Sequence, residues 1–113
     1  MSNTQLVQFD TLRSLAFGSI SASYAAVGTV LLYPARLIVF TNQTNGDLFV
    51  STDGSTNMLF LAANTFKLFD LSTNRLNVDQ MFVLPAGTQF YTKQSTAPTS
   101  GALYIEILYG VKS

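Results

Sequence analysis

At 113 residues, with six basic and six acidic side chains, the chain is of single-domain length and has zero net charge. Only 11% of its residues are charged against 48% hydrophobic. That balance excludes a disordered chain, which needs low hydrophobicity and high charge, and a nucleic-acid binder, which needs a clustered basic excess. Cysteine and histidine are both absent, which removes disulfides, zinc–thiolate sites and the commonest general base.

The opening residues, MSNTQLVQFD, have neither a basic stretch nor an apolar run of the kind a secretory signal needs, and none is expected. Residues 1–13 are mostly polar, with Leu6, Val7, Phe9 and Leu12 interspersed, and read as an extended N-terminal arm. Such an arm is an edge strand or a disordered tail, or else it packs on a neighbouring subunit. In residues 14–24, SLAFGSISASY, the apolar positions switch parity near Gly18. One bent strand with a bulge there is expected, two separate strands being the alternative. Residues 25–33 read as a connection holding a short extended piece, VLLY, and Pro34 limits it. The whole apolar stretch from 25 to 40 is broken by Gly28, Thr29, Pro34 and Arg36, so no membrane span is expected.

Residues 35–41 predict a strand with Leu37 and Val39 on one face and Ile38 and Phe40 on the other. NQTNGD at 42–47 contains Asn-Gly, the pair that tolerates positive φ, and predicts a tight hairpin returning through residues 48–52. Asp53-Gly54 opens another turn, and residues 57–63 run back. After a turn at Asn64, residues 65–71 alternate, with Phe66, Leu68 and Asp70 opposite Lys67, Phe69 and Leu71. A polar segment, 72–80, has room for one helical turn at 76–80; a short strand at 81–84 stops at Pro85-Ala86-Gly87. Residues 88–94 form the next strand and 95–101 a loop around Pro98. In the last strand, 102–109, Leu103, Ile105, Ile107 and Tyr109 share one face. About eight short strands with turns every 8–12 residues predict an all-β, antiparallel β-sandwich or barrel over 14–113, preceded by the arm at 1–13.

A two-layer sandwich should alternate apolar and polar along each strand. The stretches 37–40, 48–50 and 58–61 are instead apolar on both sides, and Tyr104 and Leu108 make the last strand's second face apolar too. One small core cannot absorb both faces of so many strands, and monomers rarely expose large apolar patches. The excess predicts burial against other subunits or a host surface. The candidate interface residues are Phe9, Leu12, Ile38, Phe40, Phe49, Phe60, Phe69, Tyr91, Tyr104 and Leu108.

No chemistry emerges beside this. Asp47 and Asp53 sit in turns, where aspartate bonds nearby backbone, and TDGSTN lacks the spacing and terminal Glu of an EF-hand. Without His there is no Ser-His-Asp triad. Arg36 and Arg75 read as rim partners for Asp70 or Asp79. The sequon Asn42-Gln43-Thr44 carries no weight without a secretory signal. The tyrosines Tyr24, Tyr33, Tyr91, Tyr104 and Tyr109 more often fill cores and interfaces than line a sugar site. No catalytic residue, cofactor or metal is expected.

The hairpin around TNQTNGD, the STDG turn, LPAGTQFY and the closing PTSGALYIEILYG resemble small virion proteins of tailed bacteriophages, over roughly residues 14–110. The resemblance implies a jelly-roll-like sandwich that oligomerises on the particle, as capsid cement or decoration or as a neck or tail component. It further implies a virion location after synthesis in the host cytoplasm, with partners that are copies of itself and phage capsid or neck/tail proteins. Neither nucleic acid nor membrane is expected as a partner. A carbohydrate-binding sandwich for host adhesion is the alternative.

Overall fold

A computed structural model describes residues 5–71 and 84–112. The helical turn expected at 76–80, and all but the last residue of the strand expected at 81–84, lie outside them, as do Arg75 and Asp79. The strands are β1 (Gln5–Phe9), β2 (Arg13–Ala16), β3 (Ala25–Val27), β4 (Ala35–Asn42), β5 (Leu48–Ser51), β6 (Leu59–Leu61), β7 (Thr65–Asp70), β8 (Phe90–Gln94) and β9 (Ala102–Lys112). They form two antiparallel sheets. In the first, β9 lies between β4 and the β1/β2 edge, and β7 flanks β4; the second runs β3-β8-β5-β6. From β2 onward every connection except β5–β6 crosses from one sheet to the other. That is the winding of a jelly roll, so the expected β-sandwich is the fold.

Between the sheets pack Ile38 and Phe40 of β4, Leu103, Ile105 and Ile107 of β9, and Val27, Leu48, Val50, Leu61 and Phe90 from the second sheet. Phe40 and Phe90 meet edge-on across the layers at 5.5 Å between centroids. Burying each such side chain contributes about 1.5–3 kcal/mol. The inward set on β9 is the one its alternation predicts.

Several local expectations are corrected. The Asn-Gly segment does not close a hairpin: β4 and β5 belong to different sheets, and neither Asn45 nor Gly46 takes positive φ. The segment is instead a crossing organised by Asn42, which is fully buried. Its amide nitrogen donates to the carbonyls of Gly46, Leu61 and Ala62, and its oxygen accepts from the Thr44 N–H and hydroxyl. Gly46 is required for space, since a Cβ there would run into the Thr96 carbonyl oxygen and Pro98. The parity switch near Gly18 is not a bulge in one strand either. β2 stops at Ala16, and a 3-10 turn at Phe17–Ser19 resets the facing before Ile20 enters the core. The extended piece expected at 30–33 is no strand; β3 lies earlier, where Ala25–Val27 pair with Phe90–Thr92.

The N-terminal arm folds onto its own chain. Gln5–Phe9 pair with Leu108–Lys112 of β9 as an edge strand. Arg13, which the sequence reading assigned to the arm, is buried in the sandwich. Its guanidinium donates to the carbonyls of Thr11, Thr29 and Val30 and lies 3.6 Å from the Asp10 carboxylate.

Candidate functional site

In an antiparallel sheet, paired residues share a face, so the register assigns the outer face of the first sheet row by row. Phe9, Leu108, Leu37 and Asp70 form the first row across β1, β9, β4 and β7. Glu106, Val39 and Leu68 form the second, and extending the β2–β9 register by one residue brings Leu12 beside Glu106. The third is Ser14, Tyr104, Thr41 and Phe66. One step past the end of β4, Gln43 donates its N–H to Ala102 O at 3.0 Å, and the β4–β7 register sets it beside Asn64.

The result is a diagonal apolar band, Phe9–Leu108–Leu37–Val39–Leu68–Phe66, with carboxylates on either side at Glu106 and Asp70. Phe9 is 75% exposed, Phe66 65% and Leu68 54%; Leu37, Val39 and Leu108 are half-buried. Every described residue of β7 is exposed.

The second sheet's outer face is different because its aromatics already engage one another and their own loops. Phe49 and Phe60 lie 5.7 Å apart between centroids. The Lys93 ammonium sits 5.0 Å from the Tyr24 ring centre and 5.9 Å from that of Phe49. The Tyr24 hydroxyl donates to Asn57 Oδ1. The loop after β5 passes so close over Tyr91 that a Cβ on Gly54 would lie 3.4 Å from its ring.

The ten candidate residues therefore separate into three groups. Phe9, Leu12, Tyr104 and Leu108 lie on the outer face of the first sheet, and Phe49, Phe60 and Tyr91 on that of the second. Ile38 and Phe40 are corrected: both are buried between the sheets, so they cannot form an outward interface. Phe69, paired with Ile38, lies on the inward side at the sheet margin, edge-on to Phe40 at 5.8 Å. The band residues Leu37, Val39, Phe66 and Leu68 were missed. The alternation of 35–41 does separate Leu37 and Val39 from Ile38 and Phe40. The cue that could have oriented the two sets is the unambiguous inward set of β9, to which β4 pairs. Compared with known proteins, the chain matches no family model, no curated protein and no solved structure.

Two adjoining clefts open at the polar end of the first sheet's outer face. One, about 460 Å³, is lined by Thr41, Asn42, Gln43, Asn64, Thr65 and Phe66. The other, about 330 Å³, is lined by Leu12, Thr41, Gln43, Tyr104 and Glu106. Thr41 and Gln43 belong to both.

The turn carboxylates Asp53 and Asp47 are occupied structurally. Asp53 accepts from the Ser51 and Thr56 hydroxyls and from the Ser55 and Thr56 N–H groups, all at 2.7–2.8 Å. These bonds, the Ser51 hydroxyl first, hold it well below the usual carboxylate range. Asp47 accepts the Ala63 N–H at 2.9 Å. Among the described residues no group of three or more His, Cys, Asp or Glu is placed to hold a metal, and no helix is long and apolar enough to cross a membrane.

Proposed function

We propose that the protein is a non-enzymatic structural subunit of a bacteriophage virion: a jelly-roll capsid cement or decoration protein that self-associates through the outer face of its first sheet. The observation that carries this reading is the apolar band from Phe9 to Phe66, laid across four strands and, among the described residues, left uncovered by loops. Contiguous exposed apolar surface of this kind marks an interaction site more often than free solvent contact. A lack of histidine and cysteine, and the engagement of Asp47 and Asp53 by nearby N–H and hydroxyl groups, favour assembly over chemistry. The sequence resemblance supplies the virion setting, with a neck or tail position as the alternative within it.

Sedimentation velocity tests the reading. The wild-type protein should form a defined oligomer at micromolar concentration. Leu68→Lys combined with Leu108→Lys should convert it to monomer while the thermal midpoint moves by only a few degrees, because both side chains already meet solvent. Phe49→Lys, on the other sheet, should leave the oligomer intact. A wild-type monomer at high micromolar concentration would overturn the proposal. Copy number in purified particles separates a capsid position, with many copies, from a neck or tail position, with few.

A further inference from the structure

The polar end of the same face carries different chemistry from the apolar band. Tyr104, Thr41 and Phe66 form one cross-strand row with the small residue in the middle. Adjacent strands lie about 4.8 Å apart, so the two aromatic residues stand about 10 Å apart at the backbone, with Thr41 as the floor between them. Beside this floor Gln43 and Asn64 present amides, and Glu106 presents a carboxylate next to Tyr104.

These polar groups are unspent. The side chains of Gln43, Asn64, Tyr104 and Glu106 make no hydrogen bond or ion pair among the described residues. Their neighbours are committed: Thr65 donates to Ala62 O at 2.6 Å, and Asn42 is used in the interior. The backbone beneath them is fixed. Asn64 sits in the left-handed region with its N–H on Thr44 O, and the Gln43 N–H is held by Ala102 O.

We propose that this trough binds a neutral hexose oligosaccharide. A pyranose ring has an apolar C–H face, which packs on aromatic surface, and a rim of hydroxyls that both donate and accept. Phe66 and Tyr104 supply the aromatic surface. The amides of Gln43 and Asn64 supply donors and acceptors, and Glu106 accepts from hydroxyls. No described lysine or arginine lines either cleft, and Glu106 repels anions, so sialylated or phosphorylated sugars are disfavoured. The mixed, mostly polar lining also fits a polyhydroxylated ligand better than the apolar band of a second copy. Phe66 also ends the apolar band, so the site requires that self-association leave that end of the band open; Leu68 and Leu108, the residues that test assembly, line neither cleft.

The test is NMR titration of the ¹⁵N-labelled protein with linear neutral tetrasaccharides of glucose, galactose and mannose at millimolar concentration, with sialyllactose as the anionic comparison. At least one neutral tetrasaccharide should shift amides confined to residues 41–43, 64–66 and 104–106. Tyr104→Ala and Gln43→Ala should each weaken binding at least tenfold, whereas Phe49→Ala should not. Gln43 is exposed, so its variant separates lost binding from lost folding. Three results would overturn the site: no shift with any neutral tetrasaccharide, equal shifts with sialyllactose, or shifts mapping to the second sheet around Tyr91. Sedimentation of the same samples reads assembly separately.

Discussion

Asn42 shows how one side chain can hold a crossing between sheets. Its amide has two donors and two acceptor lone pairs, and at 0% exposure all must be satisfied inside the protein. They are, by three carbonyls and both donors of Thr44. Replacing Asn42 by Ala strands several buried polar groups at once, each costing about 1–3 kcal/mol. Asn42→Ala should therefore lower the unfolding free energy by about 3 kcal/mol or more in urea denaturation. Asn42→Asp should also destabilise, because it turns a second acceptor toward the same carbonyls. Asn45→Ala loses only an exposed exchange with Thr99 and should cost under about 1 kcal/mol. Equal costs at 42 and 45 would mean that the Asn-Gly pair, not Asn42, shapes the segment. Sequence reasoning favoured the pair because Asn-Gly is a local signal. Asn42 acts through the carbonyls of Leu61 and Ala62, about twenty residues away, and no short-range pattern records that.

At the scale of elements, alternation was legible and sidedness was not. The two faces of β7 and of β9 follow directly from period-two spacing. On β4 the same spacing separates Leu37 and Val39 from Ile38 and Phe40, but both sets are apolar and only tertiary pairing decides which turns inward. A parity switch is equally ambiguous, since a bulge and the 3-10 turn at Phe17–Ser19 both reset facing. The candidate site was half legible for the same reason. Tyr104 and Leu108 stand out against a clean inward set, whereas Phe66 and Leu68 join the face only once β7 pairs with β4. Domain organisation turns on Arg13. The three carbonyls bonded by its guanidinium come from both the arm side and the loop after β3, so Arg13 ties the arm to the sandwich. A chain starting at Asp10 loses only an edge strand and should keep a cooperative urea transition at reduced stability. The freed edge of β9 should make it more prone to associate. A chain starting at Ser14 also loses the buried guanidinium and leaves the Thr29 and Val30 carbonyls unpaired, and it should show no cooperative transition by far-UV circular dichroism. Equal stability of the two would place the boundary after Arg13.

Across the whole molecule, the winding makes folding collective. β9, at the end of the described chain, pairs with β4 on one side and with β1 and β2 on the other. The first sheet therefore has no interior until residues 102–109 are in place, and the second sheet cannot cover its core without the first. Every sheet-to-sheet connection also postpones pairing, because strands adjacent in sequence are not adjacent in a sheet; such non-local topologies fold in milliseconds to seconds. Two-state unfolding is then expected. Far-UV circular dichroism, reporting the sheets, and tyrosine fluorescence should give coincident urea curves. The five tyrosines, with no tryptophan to mask them, sample both sheets, since Tyr109 is on β9 and Tyr91 on β8. A chain ending at Gly101 should have no transition at all, even though it retains eight of the nine described strands. If that chain instead unfolds cooperatively, or if the two probes separate in the full chain, the second sheet has stability of its own. The band and the trough would then rest on a sheet that can open without it, and both sites would be lost at lower denaturant than the second sheet.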